Sequence, residues 1–249
     1  MDDRLDRRAE EACLNAWPAL KEILYDGWLI RLSAGRTRRI NSVNVLHPGR
    51  EPLPEKIAAC EALYRAHGQP PYFRIRSSDD PALDRALAAR GYRAEDDTLT
   101  LYKDFSIRPV EDVCDVELVE GKASEEWLLA QACFAGHSAQ ECDIRRRLLA
   151  RVAVPMAFVA RRDATGAIVS AACGAIHDGL VSLQWVATDP VPRGQGHARA
   201  NLLALMYWAA RNGAAGACLS VFADNHAAIR LYEKMGFGHE LYRYHYRVR

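Results

Sequence analysis

Apolar and polar positions along the chain switch repeatedly between a helical period and short apolar or alternating runs. Residues 4–24 carry helical spacing with a break expected at Pro18, and Trp28 to Leu32 alternates as a strand. Ser33-Ala34-Gly35-Arg36 reads as a hairpin tip and Arg39 to Leu46 as the returning strand. Pro54 to His67 is helical and stops at Gly68, and Tyr72 to Arg76 and Thr98 to Tyr102 read as strands. Between those strands a short helix ends at Gly91, with Asp80 as N-cap and Pro81 in the first turn. The second half opens with a strand at Ile107 to Val110 or at Val116 to Val119. Helices follow over Ser124 to Phe134 and Ala139 to Val152, then strands Met156 to Arg161 and Ile168 to Ile176. His177-Asp178-Gly179 turns into Leu180 to Val186. A long helix places Leu202, Leu205, Met206 and Ala209 on one face and stops at Asn212-Gly213. A strand at Ala217 to Phe222, a short helix and a last strand complete the pattern. In that last strand Tyr242, Tyr244 and Tyr246 alternate, which points to one face of a sheet edge, a dimer contact or part of a substrate site.

The pattern repeats. One offset of 145 residues relates Gly68 to Gly213, Gly91-Tyr92 to Gly236-Phe237, Asp79 to Asp224 and Arg85 to Arg230. The chain therefore reads as two tandem units, 1–106 and 107–249, the first shortened at its start.

The richest stretch is Val186 to Gly213, a strand, a glycine loop and a helix. Gly194 and Gly196 let the backbone bend sharply and admit a ligand closely. The first N–H groups of the helix lack intrahelical partners and sit at its positive end, so a run of them suits a pyrophosphate. Neither a Gly-Lys-Ser/Thr nor a G-x-G-x-x-G pattern is present there.

Arg193-x-x-Gly196-x-Ala198 resembles the Q/R-x-x-G-x-G/A signature of the GNAT superfamily of acetyl-CoA-dependent N-acyltransferases. Downstream, Asn225-x-x-Ala228-x-x-Leu231-Tyr232-x-x-x-Gly236-Phe237 resembles that family's second motif, at the right order and spacing. The resemblance implies an α+β, three-layer fold with a mixed, mostly antiparallel sheet flanked by helices. It implies that main-chain groups of Val186, Ala187 and Thr188 pair with the pantetheine arm of acetyl-CoA. Backbone N–H groups of the loop Arg193-Gly194-Gln195-Gly196-His197-Ala198 then hold the pyrophosphate, with His197 on the phosphate side. Asn225, with Ala228 of the same motif, contacts the pantetheine region, and Tyr232 protonates the departing thiolate as a general acid. Many relatives carry a glutamate base on the strand before the loop, where this chain has Gln184. Glu126, His137, His177 or a water chain would have to replace it.

The same offset places Pro48, Glu51 and Leu53 where the second unit has Arg193, Gly196 and Ala198, and Leu87 where it has Tyr232. Glu51 would bring a carboxylate to the phosphate position, so the first unit is expected not to hold CoA. It either supports the fold or shapes the second unit's substrate cleft. Arg36-Thr37-Arg38-Arg39 reads as a solvated hairpin or a contact for an acidic substrate, and Arg145-Arg146-Arg147 with Arg151 as a solvated face or a steering charge for an anion.

Composition narrows the classes without naming an acceptor. Net charge is +1, which argues against a general affinity for nucleic acid or anionic membrane. No apolar run approaches the ~18 residues of a membrane span, and the charged N-terminus lacks a signal core. Seven cysteines without a C-x-x-C pair read as reduced cytoplasmic thiols, with no metal expected. The expectation is an N-acetyltransferase acting on a primary amine, most simply of a small molecule. The alternatives are a protein or peptide N-acetyltransferase and a non-catalytic acyl-CoA sensor, and a homodimer fits either class.

Overall fold

A computed structural model of the chain describes residues 3–35, 37–107, 113, 115–191 and 194–249. The first half runs α1 (Asp3–Ala16), β1 (Lys21–Tyr25), β2 (Trp28–Leu32), a 3-10 turn (Arg38–Ile40), β3 (Val43–Val45), α2 (Leu53–Ala66), β4 (Phe73–Arg76), α3 (Pro81–Ala89) and β5 (Arg93–Asp104). The second runs β6 (Glu117–Glu120), α4 (Glu125–Phe134), α5 (Ala139–Leu149), β7 (Met156–Arg162), β8 (Ile168–His177) and β9 (Leu180–Thr188). It closes with α6 (His197–Arg211), β10 (Gly216–Phe222), α7 (His226–Lys234) and β11 (His239–Val248). The sheet is mixed and mostly antiparallel, and helices flank it, as expected.

The residues pack into two compact units. The larger holds the chain up to Pro18, Leu101–Leu219 and Ala227–Leu241; the smaller holds Ala19–Thr100, Ser220–His226 and Tyr242–Arg249. Compact packing thus groups residues differently from the linear division at 106/107, which concerns sequence repeats and stays a proposal in that sense. In the smaller unit the strand order is β1-β2-β3-β4-β11. Trp28, Ile30, Ile57, Tyr64, Phe73 and Leu87 form its core under α2 and α3. In the larger unit the order is β10-β9-β8-β7-β6, with Trp127, Phe158, Ala171 and Cys173 in the core.

The repeat holds at the level of elements. β1-β2-β3-α2-β4-α3-β5 and β7-β8-β9-α6-β10-α7-β11 follow one order. Within each, the first two strand pairs are antiparallel and the third is parallel.

Some expected elements differ. The first helix ends at Ala16, because Pro18 cannot continue it, and Lys21–Tyr25 instead pairs with β2. Asp26-Gly27, both left-handed at φ 42° and 82°, adds a two-residue turn that joins β1 to β2 and matches strand twist, while the expected antiparallel return of β3 along β2 is present. Arg39 to Leu46 splits into the 3-10 turn and the short β3. The second half starts with Glu117–Glu120; Ile107 to Val110 lies mostly outside the described residues. Tyr242, Tyr244 and Tyr246 are buried, and β11 lies between β4 and β5, so they form no sheet edge. Arg39 donates to the Tyr244 hydroxyl at 2.7 Å, and Arg38 pairs with Glu95 and Asp96, so these two arginines are held within their unit.

Candidate functional site

β9 builds one wall of the site. β8 pairs along it as far as Ser170↔Thr188, but β10 pairs only with Leu180, Val181 and Ser182. From Leu183 onward the other edge of β9 has no strand partner among the described residues. Val186, Ala187 and Thr188 lie on that open edge, each half-buried. An extra residue enters β9 where the register shifts between Ala171 and Cys173. The bulge places Trp185 at φ +55°, a left-handed conformation worth about 1–3 kcal/mol of strain for a side chain of this size.

A buried polar chain fixes the end of this strand. Asn201 on α6, fully buried, donates to Ser170 Oγ at 3.0 Å. Ser170 Oγ donates in turn to the Ala187 carbonyl at 3.0 Å and lies 2.9 Å from Thr188 Oγ1. Sequence reasoning did not single out either residue. The available signal was an asparagine beside Leu202 on the apolar face of α6.

The loop follows. Gly194 and Gly196 both stand at φ +83°, a conformation that glycine takes freely, and a Cβ at either would meet nothing within 4 Å. Gly196 caps α6 without a side-chain hydrogen bond, and the first intrahelical bond runs from Ala200 N to Gly196 O at 3.0 Å. The N–H groups of His197, Ala198 and Arg199 therefore precede that bond and have no helical partner. Gln195 is exposed and His197 half-buried, with His197 Nδ1 lacking a hydrogen-bond partner. Arg193 lies outside the described residues.

Of the second motif, Ala228 is half-buried in the first turn of α7 and Asn225 is exposed just before it. By packing, Asn225 belongs to the smaller unit. Tyr232 is 7% exposed, its ring edge-on to Phe237 at 6.0 Å, and its hydroxyl makes no hydrogen bond among the described residues. Burial pushes its pKa up to about 12, so the phenol stays protonated at neutral pH.

The expected bases are occupied. Arg162 holds Glu126 through two bonds of 2.6 and 2.9 Å, and this pairing lowers the carboxyl's pKa. His177 lies at the opposite end of β9 from Thr188, 4.0 Å from Glu11. Burial, then the Arg145 charge, lowers the pKa of His137, but Arg145 donates to its Nε2 at 2.8 Å and engages the basic lone pair. Gln184 is buried and donates to Ser182 Oγ at 2.7 Å.

The repeat supplies an internal comparison. Gly49, the counterpart of Gly194, stands at φ +80°. The N–H groups of Arg50 and Glu51, counterparts of Gln195 and Gly196, both donate at 2.9 Å to the carboxylate of Asp26. Lys56, 1% exposed, pairs with the same carboxylate at 2.9 Å and lies 4.3 Å from the Trp28 ring centroid. An internal anion thus fills the first unit's nest. The expected intruder was the Glu51 side chain, but Glu51 presents its N–H to the nest and its side chain is exposed.

The bonds from Arg50, Lys56 and Glu51 hold the Asp26 carboxyl at about 2, below its ordinary 3.8. Its contribution to stability is full above pH ~4 and is lost as pH falls towards 2. Asp26→Asn strands the buried Lys56 charge. Melting temperature at pH 7 is expected to fall by roughly 5 °C, and the variant should lack the acid-dependent loss assigned to Asp26. Melting curves between pH 7 and pH 2 on both proteins test this.

Residues 6–247 match the family described as probable histone acetyltransferase Rv0428c, C-terminal. The chain belongs to this acetyltransferase family. It is a GNAT N-acetyltransferase in two-unit form. Over 254 residues, and the full length of both chains, it is 27% identical to the uncharacterized N-acetyltransferase YobR of Bacillus subtilis (strain 168). Its fold is similar to a GCN5-related N-acetyltransferase from Kribbella flavida, with TM-score 0.69 and 16% identity over 98% of this chain and 93% of that one. It is also similar to a tandem GNAT protein from the clavulanic acid biosynthesis pathway, with TM-score 0.65 and 18% identity over 82% of this chain and 72% of that one. Among the described residues of this GNAT chain, no helix is long and apolar enough to cross a membrane.

Proposed function

We propose that the protein transfers an acetyl group from acetyl-CoA to the primary amine of a small-molecule acceptor, and that the 107–249 repeat unit carries the reaction. The observation that carries this reading is the uncapped start of α6, which follows the open edge of β9. Backbone N–H groups from Gly194 to Ala198, with Arg193, hold the pyrophosphate, and Val186 to Thr188 pair with the pantetheine amides in the manner of an added strand. Asn225 and Ala228 take the role that the second motif gives them.

The neutral amine attacks the thioester carbonyl directly, forming the C–N bond. The C–S bond then breaks, and the thiolate takes the Tyr232 proton. The amine's extra proton passes to water, and Tyr232 takes a proton back from water, which completes the balance. The presence of Tyr232 at this place in the second motif favours an enzyme over a sensor, which has no use for a proton donor there.

Calorimetry with acetyl-CoA is expected to give a stoichiometry near one per chain, because Asp26 occupies the nest of the first unit. Two comparable sites would overturn the single-donor reading. An amine panel assayed by free-thiol release tests transfer itself, and turnover on any amine removes the sensor.

A further inference from the structure

We infer that Arg145 and the tryptophans around it form an acceptor subsite that recognises a carboxylate carried by the amine substrate. This rests on the acetyl-transfer reading above and names the class of its acceptor.

The cluster adjoins the proposed donor stretch. Trp185 immediately precedes Val186 and stands at the strained bulge of β9. Its ring lies 5.5 Å from that of Trp17, edge-on, and 6.3 Å from that of Trp127, stacked. The Arg145 guanidinium covers it at 4.7 Å. Three indoles and one cation thus meet beside Val186, the first of the residues assigned to the pantetheine arm of the donor.

The polar partners of Arg145 are neutral. One terminal nitrogen donates to the side-chain oxygen of Gln131, and the other to His137 Nε2 at 2.8 Å. Accepting at Nε2 leaves the imidazole proton on Nδ1, so His137 is uncharged. Gln131 is itself placed by a 3.4 Å bond to the Trp185 carbonyl. No carboxylate lies within ion-pair distance of Arg145 among the described residues.

Other arginines of the same unit behave differently. Arg146, the next residue on α5, pairs with Glu125 and Asp143; Arg162 pairs with Glu117 and Glu126; Arg8 pairs with Asp178. Arg145 instead turns onto the indole cluster. Burial lowers its pKa while the Glu141 carboxylate, which makes no ion pair with it, acts the other way, and the guanidinium stays protonated. Of its five N–H groups, two are engaged in the bonds above, which leaves a fork suited to a carboxylate. Under the donor assignment the CoA phosphates go to the loop that follows Thr188, whereas Trp185 and Arg145 adjoin the other end of that stretch, before Val186.

Matched amines test the assignment: α-amino acids, their carboxamides, and aminoalkyl phosphates, each titrated by tryptophan fluorescence into the full chain with acetyl-CoA present. The carboxylate-bearing amines are expected to bind about 10- to 100-fold more tightly than the carboxamides, the effect of one charged hydrogen-bonding group. Arg145→Gln should bring the two series close to parity by raising the KM of the carboxylates, with acetyl-CoA affinity retained, and Arg145→Lys should recover part of the preference. Equal binding of acids and amides by the unmodified protein would overturn the inference even if Arg145→Gln failed to fold, and tighter binding of the phosphates would overturn the carboxylate assignment. Either result leaves acetyl transfer standing. Failure to bind acetyl-CoA would instead remove the reading on which the subsite rests.

Discussion

Tyr232→Phe is expected to lose on the order of 10²-fold in kcat, the low end for removal of a general acid. The substitution keeps the ring that packs edge-on to Phe237 and removes only the hydroxyl. That hydroxyl makes no hydrogen bond among the described residues, so its loss should leave melting temperature nearly unchanged. Acetyl-CoA affinity should also hold, because the phenol acts on the departing sulfur. The counterpart change in the first unit, Leu87→Phe, enlarges a fully buried core residue and should cost stability without touching turnover. The measurement is kcat, donor affinity and melting temperature on one preparation of each variant. Normal kcat in Tyr232→Phe, with chemistry shown to limit the rate, removes Tyr232 from the mechanism.

Gly196→Asp is expected to abolish acetyl-CoA binding in the concentration range where the parent saturates. Two effects act together. The residue stands at φ +83°, which any side chain adopts at a cost. The new carboxylate also caps the N–H groups of α6 and repels the pyrophosphate. A Cβ here meets nothing within 4 Å, so the variant should remain folded and the loss should be specific to the donor. Gly196→Ala separates the terms: it carries the backbone strain without the charge and should bind more weakly than the parent but more tightly than the aspartate variant. Calorimetry reads all three, and retained affinity in Gly196→Asp counts against the loop.

The sequence exposed those parts of the molecule that depend on residue type at short spacing. The glycine loop, the α7 motif and the Asp80 and Ser124 caps are local signals, the 145-residue repeat is the recurrence of such signals, and the caps and the repeated element order are present in the structure. Lys21–Tyr25 reads as part of a helix in the sequence because five residues after a helix carry too little period to separate strand from helix. Its identity comes from pairing with β2 across the Asp26-Gly27 turn. The alternating tyrosines read as an edge because alternation reports a strand and not its neighbours. Asn201 with Ser170, and Arg145 with Trp185, join residues that lie far apart along the chain, so no local pattern reports them. Asp26 meets Arg50 and Glu51 only once the hairpin has folded back.

Asp26 can be regarded as a ligand tethered to its own receptor. Its effective concentration at the first unit's nest is fixed by the chain and unaffected by dilution. The loop that leads into α2 is therefore satisfied from the moment the unit folds. The start of α6 has no such tether. On the proposed function, its stability follows the free donor concentration through mass action. One repeat is thus finished by synthesis alone and the other by supply of acetyl-CoA, so two halves built to one plan respond differently when that supply falls.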